Sequence, residues 1–173
     1  VAGSVAVAGG LVHLVHQGLM KITLFFCAGN YAETLEVHRV RQMDGIGRRM
    51  PATTAAFTVG ALGMVGAPPL AGFITKWTLG RGALVAGEPW VVAVLAASPL
   101  LNAASFLPIL YRAWFREPLR PWPEPAGGRE TSALLLWPPL ITAALAALVG
   151  LLAAMPGSPL QWATRIAEME FGL

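Results

Sequence analysis

Four long apolar stretches alternate with short polar ones along the chain. They cover residues 5–29, 52–86, 89–115 and 131–155, and each is long enough for the roughly 20 helical residues that cross a bilayer core. Between them lie polar runs at 30–51 and 116–130, and residues 156–173 follow as a tail with Trp162 as an interfacial anchor. The pattern predicts an all-α membrane protein with four transmembrane segments. Within the first polar run, Tyr31 to Met43 is expected to form a short interfacial helix stopped at Asp44-Gly45.

The second stretch differs from the others. It carries Gly66, Pro68, Pro69 and Gly72 near its middle, then Lys76. Two successive prolines remove two backbone donors and clash with the preceding turn, so one straight helix cannot run through. The expectation is two half-helices, 52–66 and 73–86, joined by an unwound hinge. Irregular backbone at membrane depth is tolerated only where protein buries it or where it lines a cavity. A lysine just past such a break is a candidate functional group, because intramembrane charge is expensive. A desolvated ammonium can give up a proton, whereas a guanidinium stays protonated. The bland alternative for Lys76 is a side chain that snorkels to the interface from a kinked helix.

The first stretch carries His13, His16, Gln17 and Lys21 and no acid. At about 100° per residue, with His13 at zero, His16 falls near about −60°, Gln17 near about +40° and Lys21 near about +80°. That places all four on one side of a helix, as a proton relay or a hydrated seam requires. Neutral imidazole can both donate and accept a proton near physiological pH. Polar glue between helices is the alternative use of the same residues. The third stretch holds Pro99, Pro108 and Asn102, the last read as helix glue, and ends in an interfacial belt of Tyr111, Arg112 and Trp114. The fourth has no charge and reads as scaffold.

Composition narrows the classes. Charged residues are 12% of the chain and hydrophobic ones 55%, about half the usual charge of a soluble domain. The net charge of +3 does not indicate nucleic acid, since the arginines fall in loops rather than along one helix face. The single cysteine, Cys27, allows neither an internal disulfide nor a cysteine metal cluster. No metal, cofactor or catalytic residue is expected. The first residues lack a basic n-region and a start Met, so the chain reads as part of a longer protein. The loop charges read as a solvated face. Counting helix ends, Arg39, Arg41, Arg48, Arg49, Arg112, Arg116, Arg120 and Arg129 lie on one side of a four-span topology, and Arg81 and Arg165 on the other. By the positive-inside rule, loops 30–51 and 116–130 face the cytoplasm and both termini face outward.

Two motifs now stand out. HLVHQGLMKITLFFCAG (13–29) resembles a spanning helix that carries histidines and then Lys followed by LF, and RRMPATTAAFTVGALGMVGAPPLAGFITKW (48–77) resembles a segment written loosely as MP…F…GAL…G.PP..GF..K. Both are similar to the proton-conducting antiporter-like subunits. These are the large membrane subunits of respiratory complex I, of membrane-bound hydrogenases, and of multisubunit Mrp-type cation/proton antiporters, where the D-like subunit is the counterpart. The resemblance covers about residues 1–115, and the rest fits as an expected last helix. It implies a fold built on inverted repeats, of which this chain is a C-terminal part. It implies that Lys76 matches the family's broken-helix lysine (a glutamate in some members), and Lys21 and His13 the lysine and histidine of the preceding helix. Many members place a histidine four residues before that lysine, where this chain has Gln17; His16 is one position off.

The leading functional expectation is a proton-translocating subunit of a multisubunit cation/proton antiporter in a bacterial plasma membrane, moving protons along buried Lys and His groups and water. Its expected partners are other membrane subunits, the lipid bilayer, and protons, with Na+ as a further candidate. The alternative is the homologous subunit of a complex I (NADH:quinone oxidoreductase) or a membrane-bound hydrogenase. A third reading is a truncated scaffolding fragment. No redox centre or quinone site is encoded, so the residues alone do not separate the first two.

Overall fold

A computed structural model describes residues 2–118, 121–122 and 130–170. Most of the 116–130 loop therefore lies outside the described residues. The elements are α1 (Ala2–Leu35), a 3-10 turn (Val40–Gln42), α2 (Ile46–Arg49), α3 (Pro51–Val65), α4 (Ala71–Val85), α5 (Pro89–Phe115), α6 (Ala133–Leu151) and α7 (Pro159–Glu170). Every described element is helical. Three helices are long and apolar enough to cross a membrane, at Ser4–Leu35, Pro89–Phe115 and Ala133–Leu151, and Pro51–Val65 is a shorter apolar one.

The fourth span is the tandem of α3 and α4, and α1 shows how it is threaded. Tyr31 bonds Thr54, Cys27 bonds Thr53, and His16 bonds Ala71. A side chain on Gly60 would press on Leu24, one on Gly63 on Met20, one on Gly9 on Leu79, and one on Gly82 on Ala6. As α1 is followed backwards, α3 and then α4 advance along it. The two half-helices thus form one span, antiparallel to α1 and interrupted near its middle. α1 also packs against α6 and α7.

Local chemistry explains the boundaries. Pro51 and Pro89 open α3 and α5, where a missing N–H costs nothing. α1 runs past the expected end at residue 29 and stops at Leu35, where Glu36 turns to φ 54°. Nothing in Asn30–Leu35 breaks a helix, so the expected separate helix over Tyr31–Met43 does not form. Between Glu36 and α2 the segment is irregular apart from the 3-10 turn. In α6, Pro139 cannot donate to the Leu135 carbonyl, and Asn30 Nδ2 takes that carbonyl at 2.9 Å. Thr23 of α1 bonds Thr142 of α6 at 2.8 Å. These polar ties hold α6 to α1.

At one end, the loop after α1 docks on the end of α5. Asp44 is buried and pairs with Arg112 at 2.9 Å, with Arg116 3.7 Å away, and the Gly45 N–H donates to the Arg112 carbonyl at 3.0 Å. The loop charges are therefore not all a solvated face, and Arg112 is an ion-pair partner rather than a belt residue. Trp114 is half-buried and donates to Thr58 at 2.9 Å, while Tyr111 stays exposed and stacks on Phe115. Glu130 reaches the same end: its carboxylate accepts the Ala52 N–H and the Thr53 hydroxyl at the start of α3. An acid there suits the positive end of a helix dipole. At the opposite end, α7 places Ala163 and Ala167 on Ala8 and Val12 of α1. The tail is thus a packed helix with a polar and an apolar side, and Trp162 stays exposed on it.

Candidate functional site

The break between α3 and α4 is the place to build from. Gly66 closes α3 with φ 91° and ψ 35°, a left-handed conformation that glycine adopts without a Cβ penalty. Its N–H bonds Gly63 O at 3.0 Å, and the Ala67 N–H reaches back to Leu62 O at 3.0 Å. This is the Schellman pattern that ends helices. Pro68 and Pro69 follow, joined by a cis peptide, and α4 begins at Ala71.

Had the helix continued, Pro68 and Pro69 would stand where donors to the Met64 and Val65 carbonyls are needed. Lys76 supplies the missing donors. Its Nζ lies 3.1 Å from Met64 O and 3.1 Å from Val65 O. Asn102 of α5 adds a second donor to Met64 O, at 3.1 Å. A cation at the negative end of α3 is favourable in charge as well as in hydrogen bonding. The ammonium is therefore fixed to the break, turning back across the hinge rather than extending to an interface.

The backbone at the break is closely covered. A Cβ on Gly72 would overlap the Gly63 carbonyl oxygen. A Cβ on Gly150 of α6 would come within 2.5 Å of Ala71 N and 2.6 Å of Pro69 O. The uncharged helix α6 is thus more than scaffold: its glycine admits the hinge backbone.

From the other side comes His16, fully buried, with Nδ1 3.1 Å from the Ala71 carbonyl at the start of α4. Its Nε2 is buried without a hydrogen-bond partner among the described residues, as is Nδ1 of His13. His13 lies one turn further along α1, half-buried and within electrostatic range of both Lys76 and Lys21. Gln17 is half-buried and Lys21 is exposed.

The four polar residues of α1 thus do not share one environment. Taking His13 as zero, the buried Met20, Thr23, Cys27 and Tyr31 point between about −80° and 0°. His16, near about −60°, lies inside that stripe, whereas Lys21, near about +80°, lies outside it. The structure brings Lys76 and His16 to the break, leaves His13 and Gln17 half-buried on α1, and turns Lys21 outward at the level where Met20 meets Gly63. Asn102, read from sequence as helix glue, is a further donor at the break itself. Among the described residues no cluster of His, Cys, Asp or Glu could hold a metal.

Comparison with known proteins identifies the family and the fold. Residues 1–102 match the family model described as "NADH:quinone oxidoreductase/Mrp antiporter, TM". The chain is 38% identical over 150 residues to the N-type NADH-quinone oxidoreductase subunit of Desulforudis audaxviator, covering 82% of this chain and 30% of that one. It is 31% identical over 147 residues to the D-type Na(+)/H(+) antiporter subunit of Bacillus subtilis, covering 84% and 29%. In fold it is similar to a chain of the Mrp complex from Dietzia sp. DQ12-45-1b, with a TM-score of 0.84 at 22% identity over 96% of this chain and 38% of that chain. The chain spans about three tenths of the length of the two curated relatives.

Proposed function

This chain belongs to the NADH:quinone oxidoreductase/Mrp antiporter transmembrane family, and on that premise we propose that it is the part of a proton-translocating membrane subunit in which the proton passes the broken α3–α4 span. Lys76 is the group that gains and loses the proton, with His16, His13 and Gln17 lining the approach from α1 and Lys21 further along it on the outward side. Gly66, Pro68, Pro69 and Gly72 form the hinge that exposes carbonyls to it. The larger assembly is a multisubunit membrane complex of a bacterial plasma membrane, with both termini of this segment outside. In that complex, proton passage is coupled to cation exchange or to electron transfer in neighbouring subunits.

The observation that carries the reading is the pair of 3.1 Å bonds from Lys76 Nζ to Met64 O and Val65 O. A protonated amine holds both carbonyls at once through charge-assisted bonds, which are about twice as strong as neutral ones. A neutral amine holds them less well. Protonation of Lys76 and the geometry of the break are therefore linked, and a proton arriving from the His16 side alters what the hinge backbone binds.

The test is proton flux through the full-length complex in proteoliposomes, normalised to assembled protein. Lys76→Arg keeps the charge and can keep both carbonyl bonds, but it cannot release a proton at working pH. Flux in Lys76→Arg should be nearly as low as in Lys76→Ala, and Lys76→Glu should retain part of it. If Lys76→Arg conducts like the parent, Lys76 is a fixed helix cap and this reading fails.

A further inference from the structure

Away from the break, α1, α3 and α5 leave a cavity of about 390 Å³ at the end of the bundle where the Asp44 loop docks. Its walls are apolar, with Phe25 and Tyr31 from α1, Phe57 from α3 and Ile109 from α5. The only charged or titratable side chains on its rim, among the described residues, are His38, Arg39 and the phenol of Tyr31. Tyr31 is already committed to Thr54 at 3.0 Å. Asp44, the nearby acid of the same loop, points instead to Arg112. His38 and Arg39 are exposed.

We propose that this groove is a binding site for one membrane phospholipid with an anionic headgroup, its acyl chain between α1 and α5 and its phosphate beside Arg39 and His38. Three features select this occupant. The volume falls in the few-hundred-Å³ range of small-molecule sites, and such sites are mostly apolar with a few placed polar groups. The lining carries basic but no acidic side chains, and basic pockets between transmembrane helices recognise anionic headgroups. The wall residue Phe25 is 74% exposed, and Ile22 and Phe26 beside it on α1 are exposed too, so among the described residues the groove is open on its α1 side and apolar there, as an acyl chain requires. The sequence of the loop fits the same role: Val37, Val40 and Met43 turn toward the groove, and His38 and Arg39 lie at its edge.

The experiment uses the full-length protein in its complex, delipidated and titrated with phosphatidylglycerol or phosphatidylcholine, with bound lipid counted by native mass spectrometry. The parent should retain phosphatidylglycerol in preference to phosphatidylcholine. Arg39→Gln should weaken phosphatidylglycerol about fivefold, and Arg39→Lys should restore it. Ala28→Trp, which fills the groove, should remove the tightly held lipid altogether. The proposal is overturned if the parent shows no headgroup preference, or if Arg39→Gln and Ala28→Trp both leave lipid retention unchanged. It is also overturned if a cysteine placed at Ala28 cross-links to another polypeptide segment, which would mean that protein fills the groove. Lipid retention is read without proton flux, so its outcome is independent of the function proposed for Lys76.

Discussion

The Ala71 carbonyl beside His16 can only accept, so Nδ1 carries the hydrogen and Nε2 of the neutral ring is the lone-pair nitrogen. The ring can therefore take up a proton at Nε2 without giving up its bond to the break. That separates two roles which a substitution can test. His16→Asn offers an amide N–H to Ala71 but no titratable nitrogen; assembly should be retained and proton flux should fall on the order of a hundredfold. His16→Leu removes this bond, a net loss of about 0.5–1.5 kcal/mol because the Ala71 carbonyl keeps the Thr75 hydroxyl at 3.4 Å, and should lower the melting temperature of the purified protein as well as its flux. Equal flux in the parent and in His16→Asn would reduce His16 to a structural tie. In the sequence, His13 and His16 are equivalent candidates, and Gln17 stands on the same side of the helix. Helical spacing fixes their relative angles but not where the centre of the buried stripe lies. That centre depends on which α3 and α4 residues α1 meets, and the sequence of α1 does not contain this information. The same reason hides the outward turn of Lys21.

At the scale of elements, the break is legible in the sequence because its causes are local: two prolines and a left-handed glycine stop a helix wherever they occur. What covers the break is not legible. α6 has no charge and looks uniform, yet Gly150 is the contact that lets Pro69, Leu70 and Ala71 pass. Gly150→Val should clash with fixed backbone, and overpacking of this kind costs about 1–3 kcal/mol or more. Thermal unfolding in detergent should show the loss, whereas Gly18→Ala, with nothing within 4 Å of the added carbon, should be close to neutral. If the two behave alike, α6 does not seat the hinge. The prolines make a separate prediction. In a Pro68→Ala, Pro69→Ala double variant, new N–H donors can compete with Lys76 for the Met64 and Val65 carbonyls. Proton flux should drop while assembly is retained, and normal flux would make the prolines incidental. The loop after α1 misleads for a comparable reason. Its charges look solvent-bound in sequence, but Asp44 is drawn inside by Arg112, a residue 68 positions away.

For the whole molecule, the contacts sort the loops into two ends. Asp44 with Arg112, and Glu130 with Ala52 and Thr53, bring the 30–51 loop, the end of α5 and the approach to α6 together at one end. The α4–α5 turn and the α7 packing on Ala8 and Val12 lie at the other. Eight of the ten arginines belong to the first end by sequence position, Arg81 and Arg165 to the second. Basic residues flanking spans are retained on the cytoplasmic side, so the first end should be cytoplasmic. Arg41 and Glu88, both exposed and at opposite ends, are suitable reporters. The native Cys27 is fully buried and donates to Thr53 O at 3.3 Å, so it should contribute little background labelling. In intact cells, a membrane-impermeant maleimide should label Glu88→Cys and spare Arg41→Cys until the membrane is opened. Labelling of Arg41→Cys from outside, with Glu88→Cys protected, would invert the topology. The break would then sit with α3, rather than α4, toward the outside.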